Sequence, residues 1–243
     1  MDRKNQPLSL SIGKKPLPES LRPDSLENFI GQPHIINPRS FLVSQISKGN
    51  LVSSIFWGPP GIGKTTLARI LCSMAHYEMI ELSAVKASLA DVKQFLKRAE
   101  SGFGQFALFL DEIHRFNKLK QDALLGAVEK GDIVLLGATT ENPAFGIIPA
   151  LRSRMRIFEF TPLSIEEVRQ GVMRGIAWFE KRDKRTIAAD EVIDQVILLG
   201  GGDMRNTLIL LEDLYSYCSQ QEGDVVLTKE ALGITAHKKL SDY

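Results

Sequence analysis

Gly58-Pro59-Pro60-Gly61-Ile62-Gly63-Lys64-Thr65 fits G-x-x-x-x-G-K-[ST], the spacing of a loop that wraps phosphate. Its glycines let backbone amides turn inward onto phosphate oxygens, and a helix opening at its end adds a positive dipole. Lys64 would reach the β- and γ-phosphates of ATP or GTP, and Thr65 would place its hydroxyl on Mg²⁺. Further along, Leu108-Phe109-Leu110-Asp111-Glu112 reads as a buried strand ending in carboxylates. Such a strand puts Asp111 beside the metal and leaves Glu112 facing the γ-phosphate, where it can orient and polarise a water. A third segment, Ile133 to Ala138, runs into Thr139-Thr140-Glu141-Asn142, and either Thr140 or Asn142 could hold the attacking water. The Asp-Glu pair favours nucleotide hydrolysis over small-molecule kinase chemistry, because water is the nucleophile that needs a fixed base.

These groups work only if strand ends bring them together. Ile55-Phe56-Trp57 leads directly into the glycines, and Leu67, Ile70, Leu71 and Met74 then recur at helical spacing. Met79 to Leu82, Phe106 to Leu110, Ile133 to Ala138 and Ile157 to Phe160 are further strand candidates. Phe106 to Leu110 is apolar throughout, as a strand covered on both faces must be. Helical patterns at Leu89–Ala99 and Ala123–Val128 separate them. The alternation predicts a five-stranded parallel sheet flanked by helices. After Thr161-Pro162 the strand signal stops. Ser164-Ile165-Glu166-Glu167 is a capping box, Gly200-Gly201-Gly202 ends a helix, Asp203 caps the next, and Thr228 caps a last short one. The expected organisation is a flexible N-terminal lead (1–20), a nucleotide-binding core (21–161) and a small all-α lid (162–243).

The 243 residues carry 44% apolar and 24% charged residues, ordinary for a globular protein and unlike a collagen, a disordered chain or a disulfide scaffold. Residues 1–160 hold 20 basic and 15 acidic side chains, residues 161–243 hold 10 and 14. The asymmetry suggests two units, but the overall balance excludes a polybasic nucleic-acid arm. No run of 18 apolar residues crosses a membrane, and the N-terminus lacks a signal-peptide core. Cys72 and Cys218 fall in apolar helical patterns and read as small buried hydrophobes in a reducing cytoplasm. The four histidines show no metal-ligand spacing.

In this order the motifs resemble the P-loop NTPases of the AAA+ class. Leu21-Arg22-Pro23, Phe29-Ile30-Gly31-Gln32-Pro33-His34, the run from Trp57 to Arg69, Asp111-Glu112-Ile113-His114-Arg115-Phe116-Asn117-Lys118 and Gly137-Ala138-Thr139-Thr140-Glu141-Asn142-Pro143 are similar to the replication-associated recombination protein A family, whose eukaryotic relative is the Werner-helicase-interacting protein. Clamp-loader subunits are the next nearest relatives. The resemblance implies ATP with Mg²⁺, Ile30 and Gly31 lining the adenine pocket, and nucleotide contacts from Gly58 through Thr66. It makes Thr140 sensor 1 and Arg154 of Ser153-Arg154-Met155 an arginine finger for a neighbouring subunit. Arg205 of Gly202-Asp203-Met204-Arg205 becomes sensor 2, reaching the γ-phosphate of its own chain.

The resemblance also implies DNA as partner, single-stranded or forked, replication proteins such as single-stranded-DNA-binding protein, and a cytoplasmic, nucleoid-associated location in a bacterium. Lys118 and Lys120 are candidate DNA contacts. Relatives usually have Leu-Leu-Ser-Arg-Cys where this chain has Leu151-Arg152-Ser153-Arg154-Met155. They also continue for about another domain after the lid, one that holds a tetramer together. Two readings follow: an ATPase serving stalled or gapped replication forks, and a weakly hydrolysing, nucleotide-dependent subunit of a clamp-loader-like assembly.

Overall fold

The computed structural model describes residues 15–101, 104–220 and 223–241; the expected lead lies outside them up to residue 14. Five strands, β1 (Ser54–Trp57), β2 (Glu78–Ser83), β3 (Phe106–Asp111), β4 (Val134–Thr139) and β5 (Arg156–Glu159), form one parallel sheet in the order β2-β3-β4-β1-β5. Period-two alternation sends neighbouring side chains to opposite faces. Phe56, Phe109, Leu136 and Ala138 enter one core, while Ile55, Leu108, Leu110 and Leu135 enter the other. Helix α1 (Lys64–Met74) covers the first face; α2 (Leu89–Ser101) and α3 (Lys118–Lys130) cover the second. All strand connections return the chain to the same edge, so the carboxyl ends of β1, β3 and β4 lie side by side, where open parallel sheets bind ligands.

Beyond β5 the chain builds a helical unit from α4 (Ile165–Asp183), α5 (Ile193–Gly200), α6 (Met204–Cys218) and α7 (Lys229–Ser241). Its start is the capping box read from the sequence: Ser164 Oγ accepts from the Glu167 amide at 3.2 Å and Glu167 accepts from the Ser164 amide at 2.7 Å. Asp203 caps α6 and Thr228 caps α7, as expected. Phe179 stacks on Tyr215 with ring centroids 4.0 Å apart, closing the middle of the unit. Burial first, then the Asp183 carboxylate that accepts its hydroxyl at 2.6 Å, push the Tyr215 phenol up to about 12.

Two expectations need correction. The lid is not purely helical: Ile187–Ala188 and Val225–Val226 pair as a short parallel ladder, β6 with β7. Two-residue strands carry no readable period. Nor is the lead flexible to residue 20. Leu17–Ser20 form a helical turn whose Leu17 is fully buried beside Gly175 of α4, and the Leu17 amide donates to Glu212 of α6 at 2.9 Å. A single Leu in a Pro- and Lys-rich stretch gives no local signal for a contact made across the whole chain.

The core on the α1 face is continuous with the lid's own: Phe29, Ile62, Phe160 and Leu163 join Phe56 and Leu67 to Val168, Val172 and Leu211. Leu17→Ala should therefore destabilise the chain by about 2–4 kcal/mol through lost burial and the cavity left behind, read as a lower denaturant midpoint. An unchanged midpoint would show that the turn does not dock.

Candidate nucleotide site

Three strand ends build the site. β1 passes into the phosphate loop, whose Gly58 amide continues the ladder by donating to Thr139 O of β4 at 3.1 Å. β3 ends in Asp111 and Glu112, and β4 in Thr139 and Thr140. Lys64, Thr65, Asp111, Glu112 and Thr140 all line one cleft, and the lid adds Arg205 to it.

The loop is held open by close approach. Gly63 caps α1 at φ +99°, and a Cβ there would lie 2.7 Å from the Phe29 ring. At Gly61 (φ +69°) a Cβ would lie 1.8 Å from an Asp203 carboxylate oxygen, because the start of α6 rests on the loop. The Met204 amide donates to Gly61 O at 3.2 Å, which sets Arg205 at the cleft. Asp203, expected only as a cap, thus also spaces lid from loop.

Lys64 is buried and donates from Nζ to the loop's own carbonyls, Gly58 O at 2.7 Å and Pro59 O at 2.5 Å. Burial pushes its pKa below the ordinary lysine range; Glu112, Asp111 and Asp203 pull it back up, and nearby Arg205 lowers it. A phosphate oxygen is a stronger partner for this ammonium than two neutral carbonyls. Glu112 stands in the left-handed region (φ +56°) and starts the 3₁₀ turn Ile113–Arg115, a conformation that costs a non-glycine residue about 1–2 kcal/mol.

An apolar lining completes the cleft. Ile30, Phe29, Leu163, Met204 and Leu208 face it, with Arg174 among them. Of these, sequence motifs single out Ile30; the others come from four separated segments, and their spacing gives no warning that they meet. Gly31, expected beside Ile30, does not line the cleft. At φ +84° it packs behind it, where a Cβ would lie 2.4 Å from Leu163. Gln32 stands in the same sequence run, which assigns it no role. It is 1% exposed, and its side-chain amide makes a backbone-like pair with Thr161: Nε2 donates to Thr161 O at 2.8 Å and Oε1 accepts from Thr161 N at 2.9 Å. The segment bearing Ile30 is thereby tied to the junction between sheet and lid.

Pro60 through Thr66 line the cleft, whereas Gly58 and Pro59, expected with them, do not; their carbonyls accept from Lys64. Thr66 accepts from Arg22 Nη1 at 3.2 Å. Asn142 lies away from the cleft: it caps the turn Pro143–Gly146, accepting from the Ala144 amide at 2.9 Å. Of the two candidates for holding water, only Thr140 faces the site. Arg154 also lies outside the cleft and pairs with Glu129 of α3 at 2.5 Å. Lys120 is engaged within the chain, donating to Ala87 O at 2.7 Å and lying over the Phe116 ring. Cys72 is buried, which pushes its thiol up to about 12, and Cys218 is half-buried; both are free.

Fold and cleft together define an AAA-type P-loop ATPase module. Residues 54–163 match the ATPase family associated with various cellular activities (AAA). The chain is 40% identical over 215 residues to the replication-associated recombination protein A of Coxiella burnetii, covering 87% of this chain and 49% of that protein. It is 36% identical over 231 residues to the protein of the same name from Haemophilus influenzae, covering 90% and 51%. Among solved structures it resembles the Thermotoga maritima RuvB Holliday junction branch migration motor, with TM-score 0.73, 28% identity, and coverage of 90% of this chain and 72% of that one. The chain thus resembles the replication-associated recombination protein A family of AAA proteins. It spans about half the length of the curated relatives named here. Among the described residues no helix is long and apolar enough to cross a membrane.

Gly61→Ala should weaken nucleotide binding at least about tenfold, a change worth about 1.4 kcal/mol, because Asp203 or the loop must move to admit the methyl. Gly126→Ala on α3, where a Cβ meets nothing within 4 Å, should leave it unchanged. Titration with a fluorescent ATP analogue separates the two outcomes.

Proposed function

We propose that the chain binds ATP with Mg²⁺ and hydrolyses it, and that the cycle serves DNA replication and recombination. The observation that carries this reading is the convergence of Lys64, Thr65, Asp111, Glu112, Thr140 and Arg205 on one cleft. Lys64 would leave its carbonyl partners for the γ-phosphate, and Arg205 would meet the same group from the lid. Glu112 would take a proton from the attacking water, with Thr140 fixing that water's position. Thr65 and Asp111 would hold Mg²⁺. A hydroxyl and a carboxylate suit this hard cation, which takes few protein ligands and completes its shell with phosphate and water. When bound, the ion would neutralise phosphate charge.

Arg154 gives a specific reason to expect shared sites. It lies outside its own cleft and on the surface, where it could reach a neighbour's site and stabilise charge on the transferring phosphoryl group. DNA, single-stranded or forked, and replication proteins such as single-stranded-DNA-binding protein are the partners this reading assigns, supported by the family and by the excess of basic over acidic residues in 1–160. The alternative is an interaction subunit with little turnover.

Lys64→Ala should abolish nucleotide binding, and Glu112→Gln should retain ATP while losing turnover; full turnover in the Glu112 variant would remove it as the base. The specific ATPase rate should rise with protein concentration and collapse in Arg154→Ala. A rate absent at every concentration, with ATP still bound, would select the interaction subunit.

A further inference from the structure

The turn that follows Glu112 puts His114 back beneath the end of β4. His114 is nearly buried, its side chain 6% exposed, and both ring nitrogens face oxygen. Nδ1 lies 2.8 Å from Thr139 Oγ1, and Nε2 lies 3.3 Å from Glu112 Oε2 and 3.3 Å from Glu141 Oε1. Two carboxylates facing Nε2 require a proton on that nitrogen, since a bare lone pair there would be repelled by both. Thr139 is equally committed. It is fully buried, its hydroxyl accepts from the Glu141 amide at 3.0 Å, and it lies within 3.1 Å of Glu141 O. Gly146 closes the other side, where a Cβ would come within 2.5 Å of His114 Cβ. The imidazole therefore has one place to be, and Thr139 immediately precedes Thr140, which lines the cleft.

We propose that His114 is the positioning residue for Glu112: it holds one carboxylate oxygen against the β4 end, so that the other faces the water that Thr140 also contacts. Glu141, 61% exposed, competes for the same Nε2 proton from the solvent side. This assignment rests on Glu112 being the base, and the two can fail separately.

The test uses the full chain with substitutions at position 114. His114→Ala should lower kcat about 10- to 100-fold, the range found when an outer partner of a functional group is removed, with ATP affinity retained. His114→Gln places an amide donor near the position of Nε2 and should recover most of the rate. His114→Asn reaches Thr139 but not Glu112 and should not. If Asn rescues and Gln does not, or if Ala turns over normally, the proposal is overturned and His114 merely anchors β4. An activity-free measurement keeps the two readings apart. Followed by NMR, the His114 Nε2–H resonance should move in Glu112→Gln, because its carboxylate acceptor becomes a neutral amide. The charged groups facing the ring, Glu112 and Glu141 with Arg115 behind Glu112, are then perturbed one at a time. An unmoved Nε2–H resonance overturns the proposal even if wild-type turnover is absent, whereas absent turnover with a moved resonance overturns only the hydrolysis reading.

Discussion

The close contact between Gly61 and the start of α6 is the constraint from which the site takes its shape. The Asp203 carboxylate occupies the space a side chain at position 61 would need, and the Met204 amide binds the carbonyl of the same glycine. The phosphate loop therefore serves two partners at once. Its amides are turned for phosphate, and its outward carbonyl is the lid's anchor. Arg205 follows directly in the chain, so its reach into the cleft depends on this anchor more than on any flexibility of its own.

The electrostatics follow the same economy. Burial lowers the Lys64 pKa, and it is pulled back up by Glu112, Asp111 and Asp203, which are the proposed base, the proposed metal ligand and the lid's contact residue. Any of the three therefore bears on the lysine as well as on its own task. Arg154, by contrast, is satisfied away from the site by Glu129 and the Ala150 carbonyl. Since an exposed pair of this kind contributes only about 0–1 kcal/mol, Glu129 can hold the guanidinium without committing it.

The strands and the polar half of the cleft were legible in the sequence because parallel strands buried on both faces must be apolar runs, and because the phosphate loop needs glycine, lysine and threonine at fixed spacing. Asp111 and Glu112 were legible as a charge step at the end of such a run. The apolar half was not: Phe29, Leu163, Met204 and Leu208 look like ordinary core residues until the lid folds over. Gln32 was hidden because an amide that replaces a strand's hydrogen bonds has no periodicity. Asn142 and Thr140 both follow β4, and only the cap that Asn142 makes to Ala144 separates their roles. Leu17 and the β6–β7 ladder depend on contacts remote in sequence, which local patterns do not encode.

The apolar core that runs unbroken from Phe56 and Leu67 through Phe160 and Leu163 to Val172 and Leu211 makes lid and sheet one cooperative body. A domain joined by a polar strap could melt or exchange its amides independently; this one must expose part of the sheet's own packing to open widely. Any opening of the lid is then restricted to small sliding of packed side chains, a shear, with the Thr161 junction held by Gln32. Stabilisation gained by a ligand at the phosphate loop is in turn distributed to helices that never touch it.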